Sequence, residues 1–254
     1  MPTWVEAGLW GLLGGAALVL GALVAWFARV PQAVIASVMA FGSGVLISAV
    51  AFDLVQEAAD TGGLLPTAIG FLGGALAYLG ANALLARRGA RHRKRSGSNP
   101  DENQPSEKEQ GGSGLAIAIG ALLDGIPESV VLGLGLLTGG GVSLSVLAAV
   151  FISNVPEGLS SAAGMKRSGR SAGYVFGVWG AIAVVSGIAA LVGAAALGGA
   201  APELIAVITA IAAGAILTMI ADTMIPEAFE RTRTWTGVIA TVGFLVAFEI
   251  DVAG

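Results

Sequence analysis

Eight runs of apolar residues, each long enough to carry a helix through a hydrocarbon core, dominate the chain; they cover approximately 4–27, 33–58, 64–86, 113–137, 142–165, 172–197, 202–228 and 235–252. A helix rises about 1.5 Å per residue, so a core of roughly 30 Å takes about 20 residues. Only helices or closed barrels satisfy their backbone in lipid, and runs of this length suit helices. The prediction is an all-α fold, a polytopic membrane bundle of eight transmembrane helices, with 1–254 forming a single transmembrane domain. The first run has no basic leader and no clear small-residue cleavage site, so it reads as a span rather than a signal peptide. With 55% hydrophobic residues, 12% charged and a mean hydropathy of +0.83, the chain is far more apolar than a soluble domain. Its 39 glycines are the small residues that let helices approach closely in lipid, and glycine-rich faces of this kind permit a homodimer.

Orientation follows from the 13 Lys and Arg. They sit at Arg29, from Arg87 to Lys108, at Lys166, Arg167 and Arg170, and at Arg231 and Arg233, in the connections after runs one, three, five and seven. The positive-inside rule then puts those connections in the cytoplasm and both termini outside, in a multi-pass protein of the cell (inner) membrane. The connection 87–112 begins basic, turns acidic and is rich in Ser, Gly, Asn, Pro and Gln, the composition of a disordered cytoplasmic loop. His92, the only histidine, falls in its basic part and reads as a solvated loop residue.

Several chemistries are excluded. Cysteine is absent, which removes thiol catalysis, disulfides and Cys-based zinc sites. "GGSG" at 111–114 matches a Gly-x-Ser-Gly protease motif, but no span holds a histidine to act as base, and there is no His-Glu-x-x-His. No enzyme activity is expected, no organic cofactor and no nucleic-acid partner; the bilayer is the expected surrounding.

The acids carry the functional signal. Asp53, Glu57, Asp124, Glu128, Glu157, Asp222 and Glu227 fall within runs or close to their ends, and no Lys or Arg falls within a run to pair with them. A carboxylate at a helix centre costs roughly 2.5–3.5 kcal/mol on insertion scales, so such residues usually face a cavity or pathway. The missing counter-charge is a proton, an amide or hydroxyl donor, or a cation.

Two near-copies organise the central acids: "LLDGIPES" at 122–129 and "ISNVPEGL" at 152–159, with Pro-Glu pairs offset by 29 residues. Asp124 and Glu128, four apart, share a helix face, as do Asn154 and Glu157, three apart. Pro127 and Pro156 each remove a backbone hydrogen bond and crowd the carbonyl four residues back, at Leu123 and Ile152, which predicts broken fourth and fifth helices. Equivalent motifs on antiparallel spans are the pattern of an inverted repeat with a midplane binding site; the alternative is a pair of ordinary kinks with protonated packing glutamates. Asp53 and Glu57 read either as an external mouth for cations or as solvated acids at a helix end. Asp222 and Glu227, five apart, are candidates for a cytoplasmic exit, though not ideally on one face of an α-helix. Glu6, Glu249 and Asp251 read as solvated.

"DGIPES" and "SNVPEG" on the fourth and fifth of eight spans, with a polar third connection and both ends outside, resemble the ZIP (Zrt/Irt-like) metal transporters, most nearly their bacterial GufA-like branch. "AFGSGVLISAVAFDLVQEA" at 40–58, "AAGAILTMIADTMIPEAFE" at 212–230 and "GFLVAFEID" at 243–251 resemble the family's second, seventh and last spans, so the likeness covers most of the chain outside the long loop. Family members usually carry His-Asn before the first Pro-Glu pair, a histidine in the second span and a glutamate in the sixth. Those places are taken here by Asp124 and Gly125, by Asp53, and by apolar or small residues around Ser186–Ala189. The resemblance implies a divalent cation (zinc, iron, manganese or similar) as substrate and a metal centre on the fourth and fifth spans, whose surviving ligand candidates are Asp124, Glu128, Asn154 and Glu157. Ligands made only of oxygen favour harder ions such as manganese, magnesium or calcium, while still able to hold zinc or iron(II). The alternative is a proton-coupled or non-transporting relative, since buried carboxylates also describe a proton relay.

Overall fold

A computed structural model describes residues 1–87, 113–137 and 144–253. Within them the chain is helical, with no strand, and eight helices are long and apolar enough to cross a membrane. They are α1 (Thr3–Phe27), α2 (Gln32–Gly62), α3 (Leu64–Ala86), α4 (Ser113–Gly135), α5 (Leu144–Arg167), α6 (Ala172–Leu197), α7 (Pro202–Thr232) and α8 (Trp235–Ala253). The protein is thus a multi-pass membrane protein. Eight crossings bring both termini to one end of the bundle, the terminal face, and the connections after α1, α3, α5 and α7 to the opposite face. The connection expected to be a disordered loop, with His92, lies outside the described residues apart from Arg87.

The helix ends are set by local chemistry. Pro31 precedes α2 and Pro202 opens α7, where a missing N–H costs nothing. Gly169 closes α5 in the left-handed region at φ 82°, and Arg170 N–H reaches back to Met165 O at 3.0 Å, an arrangement that satisfies a terminal carbonyl. Ser171 then caps α6, its Oγ accepting from Tyr174 N–H at 3.2 Å.

Two helices depart from the expected regularity. Each of α2 and α7 runs for 31 residues, several beyond the apolar run, and each contains a π-helical segment, Val50–Gln56 in α2 and Ile220–Met224 in α7. By contrast α4 and α5 continue through Pro127 and Pro156, which lie inside them. The expected break is not an end of helix at either proline. Membrane helices absorb proline because neighbouring helices and hydroxyls compensate the backbone.

The bundle divides into two sets, joined where α2 packs on α5 and α4 on α7. α1 packs on α6 and α5, and α4 on α6; α2 packs on α8, and α3 on α7. Glycines make the second set possible. A Cβ on Gly44 would meet Ala240 O at 1.8 Å, and one on Gly243 would meet Phe41 O at 2.1 Å, so α2 and α8 cross backbone to backbone. The α7/α3 crossing is built the same way, with 1.9 Å from Gly214 to Phe71 O and 1.9 Å from Gly74 to Ile211 O. Gly44 and Gly214 are 170 residues apart and Gly74 and Gly243 are 169 apart, so the α2/α8 crossing and the α7/α3 crossing repeat each other. α2 and α3 each lie five places before their counterparts α7 and α8, an odd step that makes the two crossings antiparallel to each other. The outer faces of α3 and α8 expose large apolar side chains, among them Leu72, Leu76, Val238 and Leu245, as lipid contact requires.

Candidate functional site

The centre of the bundle buries polar groups that lipid would reject. Asp124 and Glu128 on α4 are each 1% exposed, and Asn154 and Glu157 on α5 are 4% and 3% exposed. Both carboxylate oxygens of Glu128 are sealed from solvent. Hydroxyls surround them: Ser129 Oγ donates to Gly125 O at 2.7 Å, one turn back on α4, and Ser153 Oγ donates to Val150 O at 3.0 Å on α5. Each of these serines is buried. Because α4 and α5 touch each other little, the two Pro-Glu motifs are held by different neighbours, α4 chiefly by α6 and α5 chiefly by α1.

Two side-chain bonds fix the orientation of candidate ligands. Asn154 Nδ2 donates to Gly14 O of α1 at 3.0 Å. With the nitrogen committed to α1, the oxygen of the same amide is the atom presented to the other side. Gly14 lies where α1 meets α4 and α5, since a Cβ there would meet Leu132 Cδ1 at 3.0 Å and Val150 Cγ1 at 3.3 Å. Tyr78 of α3, itself buried, donates from its hydroxyl to Asp124 Oδ1 at 2.6 Å. The bond to Gly14 yields a prediction. Asn154→Asp should destabilise the protein more than Asn154→Ala, because a carboxylate cannot donate to a carbonyl, whereas truncation forfeits one bond worth about 1 kcal/mol. Thermal unfolding in detergent reads the order; equal melting temperatures for the two variants would contradict it.

Cavities approach this region from both ends. On the terminal face a cavity of about 250 Å³ is lined by Asp53, Glu57, Val131, Leu132, Thr209 and Asp251, among others. Its floor, Val131 and Leu132, is one helical turn beyond Glu128 and on the same side of α4. A neighbouring cavity of about 310 Å³ shares Glu57 and Thr209 with it and is walled by the α6–α7 turn. On the opposite face a space of only about 10 Å³ is lined by Gln32, Met39, Ser160, Glu227, Glu230 and Arg231, with Ser160 one turn beyond Glu157. That space is near the lower limit for a single water molecule.

The outer pairs fare differently. Asp53 and Glu57 do line one cavity, but not as neighbours on a regular α-helix: Asp53 lies inside the π-helical segment, where a turn takes more than four residues. Glu227 lines the small space on the opposite face, whereas Asp222, inside the second π segment, is exposed and is not among the residues around that space. Asp251, read from the sequence as solvated, is exposed and also lines the cavity of about 250 Å³. Tyr78 and Ser160 were not singled out by sequence, and Arg231 was read only for orientation. Tyr78 had a readable signal, as a tyrosine in the middle of an apolar run, since a buried hydroxyl needs an acceptor.

Among the described residues, no three His, Cys, Asp or Glu side chains come together closely enough to hold one metal ion. The oxygen donors buried in this region are the carboxylates of Asp124, Glu128 and Glu157, the Asn154 amide oxygen and the Ser129 and Ser153 hydroxyls. Comparison with protein-family models finds none that matches this chain, and comparison with curated proteins finds no significant match.

Proposed function

We propose that the protein moves a divalent cation across the membrane through the buried carboxylates of α4 and α5, as the likeness of its two Pro-Glu motifs to ZIP transporters implies. One observation supports this reading above the others: Glu128 and Glu157 lie between two cavities that approach from opposite faces, one roomy and one collapsed. That is the arrangement a carrier needs when it opens its site to one side at a time. Oriented by the positive charges of the opposite face, the roomy cavity faces outward and its acids, Asp53, Glu57 and Asp251, form the mouth. Glu227 marks the exit. Carbonyls released at Leu123 and Ile152 by Pro127 and Pro156 would join the carboxylates as hard ligands.

Two glutamates, an amide oxygen and carbonyls suit ions that prefer oxygen, manganese before zinc. The ion is substrate rather than resident cofactor, so a site with few acidic ligands is an advantage: binding must be weak enough to release. The test is uptake of Mn²⁺ and Zn²⁺ into liposomes carrying the purified protein. Uptake above that of protein-free liposomes, saturating with ion concentration, is expected. A proton flux with no metal uptake would instead favour the proton-relay reading, for which the hydroxyl-to-carboxylate bond of Tyr78 and Asp124 is the relevant observation.

A further inference from the structure

We infer that Tyr78 is a positioning residue that holds Asp124 away from the ion site until an incoming ion competes for the carboxylate. The inference rests on the transport reading above and adds to it a residue of α3, a helix with few buried positions. Only Thr67, Gly70, Gly74 and Tyr78 of α3 are buried, a single stripe at helical spacing. Gly70 and Gly74 meet the backbone of α7 at Val207 and Ile211. Tyr78, one turn further, passes beyond α7 and bonds to α4 through Asp124 Oδ1 at 2.6 Å. That length is in the range of about 2.5–2.7 Å for a hydroxyl donating to a carboxylate.

Sequence spacing puts Asp124 and Glu128 on one face of α4, yet no three acids converge among the described residues. The tyrosine bond is a contact that an ion must compete with for the Asp124 carboxylate. An ion bound by Glu128 and Glu157 offers that carboxylate a positive charge in exchange for a neutral donor. The exchange has a second consequence. Turning Asp124 to the ion breaks a side-chain link between α3, which packs chiefly on α7, and α4, which packs chiefly on α6.

Tyr78→Phe removes the competing donor from the ion-free state only. Mn²⁺ binding by the full-length protein in detergent should tighten about three- to tenfold, the worth of a typical buried hydrogen bond, while the ion-free protein melts at a lower temperature. In an Asp124→Asn background the same substitution should not change the Kd. A role in packing alone would lower the melting temperature without tightening binding. An unchanged or weakened Kd in Tyr78→Phe, or an equal shift in both backgrounds, overturns the inference while leaving the transport reading in place. Failure of the unaltered protein to bind or take up Mn²⁺ overturns both. Should Tyr78→Phe not fold, infrared spectra of the Tyr174→Phe protein, in which Tyr78 is the sole remaining one of two tyrosines, serve instead. With isotope-labelled tyrosine, its phenol band should shift when Mn²⁺ is added, and a band that does not move rejects the exchange.

Discussion

Glu128→Gln and Glu157→Gln should each lower Mn²⁺ uptake into liposomes by about 100-fold or more, the loss expected when a buried cation is deprived of a charged partner. Glutamine keeps the shape of glutamate and still supplies an oxygen, so the variants test charge rather than packing. Neither should unfold the protein, because a neutral amide is cheaper than a carboxylate inside a membrane helix. Thermal unfolding of the same preparations separates the two effects. Asp222→Asn is the control: Asp222 is exposed and does not line the space on its face, so uptake should stay within about twofold. Wild-type uptake in either glutamine variant would remove the carboxylates of α4 and α5 from the pathway.

The second large effect concerns the α2/α8 and α7/α3 crossings. Gly44→Ala, Gly74→Ala, Gly214→Ala and Gly243→Ala would each drive a methyl group to within 2.1 Å of a backbone oxygen on the facing helix. A carbonyl in a helix cannot swing aside as a side-chain end can, so the helices must separate. A cost of about 3 kcal/mol or more is expected for each, at the upper end of overpacking penalties. Gly73→Ala and Gly180→Ala are matched controls, since a Cβ at either meets nothing within 4 Å. These should be neutral or gain up to about 1 kcal/mol from helix propensity. Melting temperatures in one detergent compare the two groups, and similar values for Gly74→Ala and Gly73→Ala would contradict the packing described.

The eight spans were legible because lipid allows one solution for twenty apolar residues, and the helices end within a few residues of the apolar runs for that reason. The exceptions are informative. α2 and α7 extend beyond their runs into polar turns such as Glu57–Gly62, which a hydropathy boundary cannot register. Nothing in composition marks a π turn, so the segments carrying Asp53 and Asp222 could not be read, and the face shared by Asp53 and Glu57 was assigned by α-helical spacing that does not hold there. Pro127 and Pro156 were legible as positions but not in their consequence, because whether a proline ends a membrane helix depends on the neighbours that take up its lost bonds.

At the centre, burial of Asp124, Glu128, Asn154 and Glu157 followed directly from four polar residues in apolar runs. Their partners did not. The bond of Asn154 to Gly14 and that of Asp124 to Tyr78 span 140 and 46 residues, separations at which no local pattern operates. Asp251 is exposed, as its place near a helix end suggests, but the cavity it helps to line exists only once α2, α4, α7 and α8 are assembled.

The most direct measurement is an anomalous difference map from crystals of the protein grown with Mn²⁺. Transport through the bundle centre predicts a peak within coordinating distance of Glu128 and Glu157, beside the Asn154 oxygen. A peak confined to the mouth at Asp53 and Glu57, or no peak within the bundle when the ion is present in excess, would contradict it.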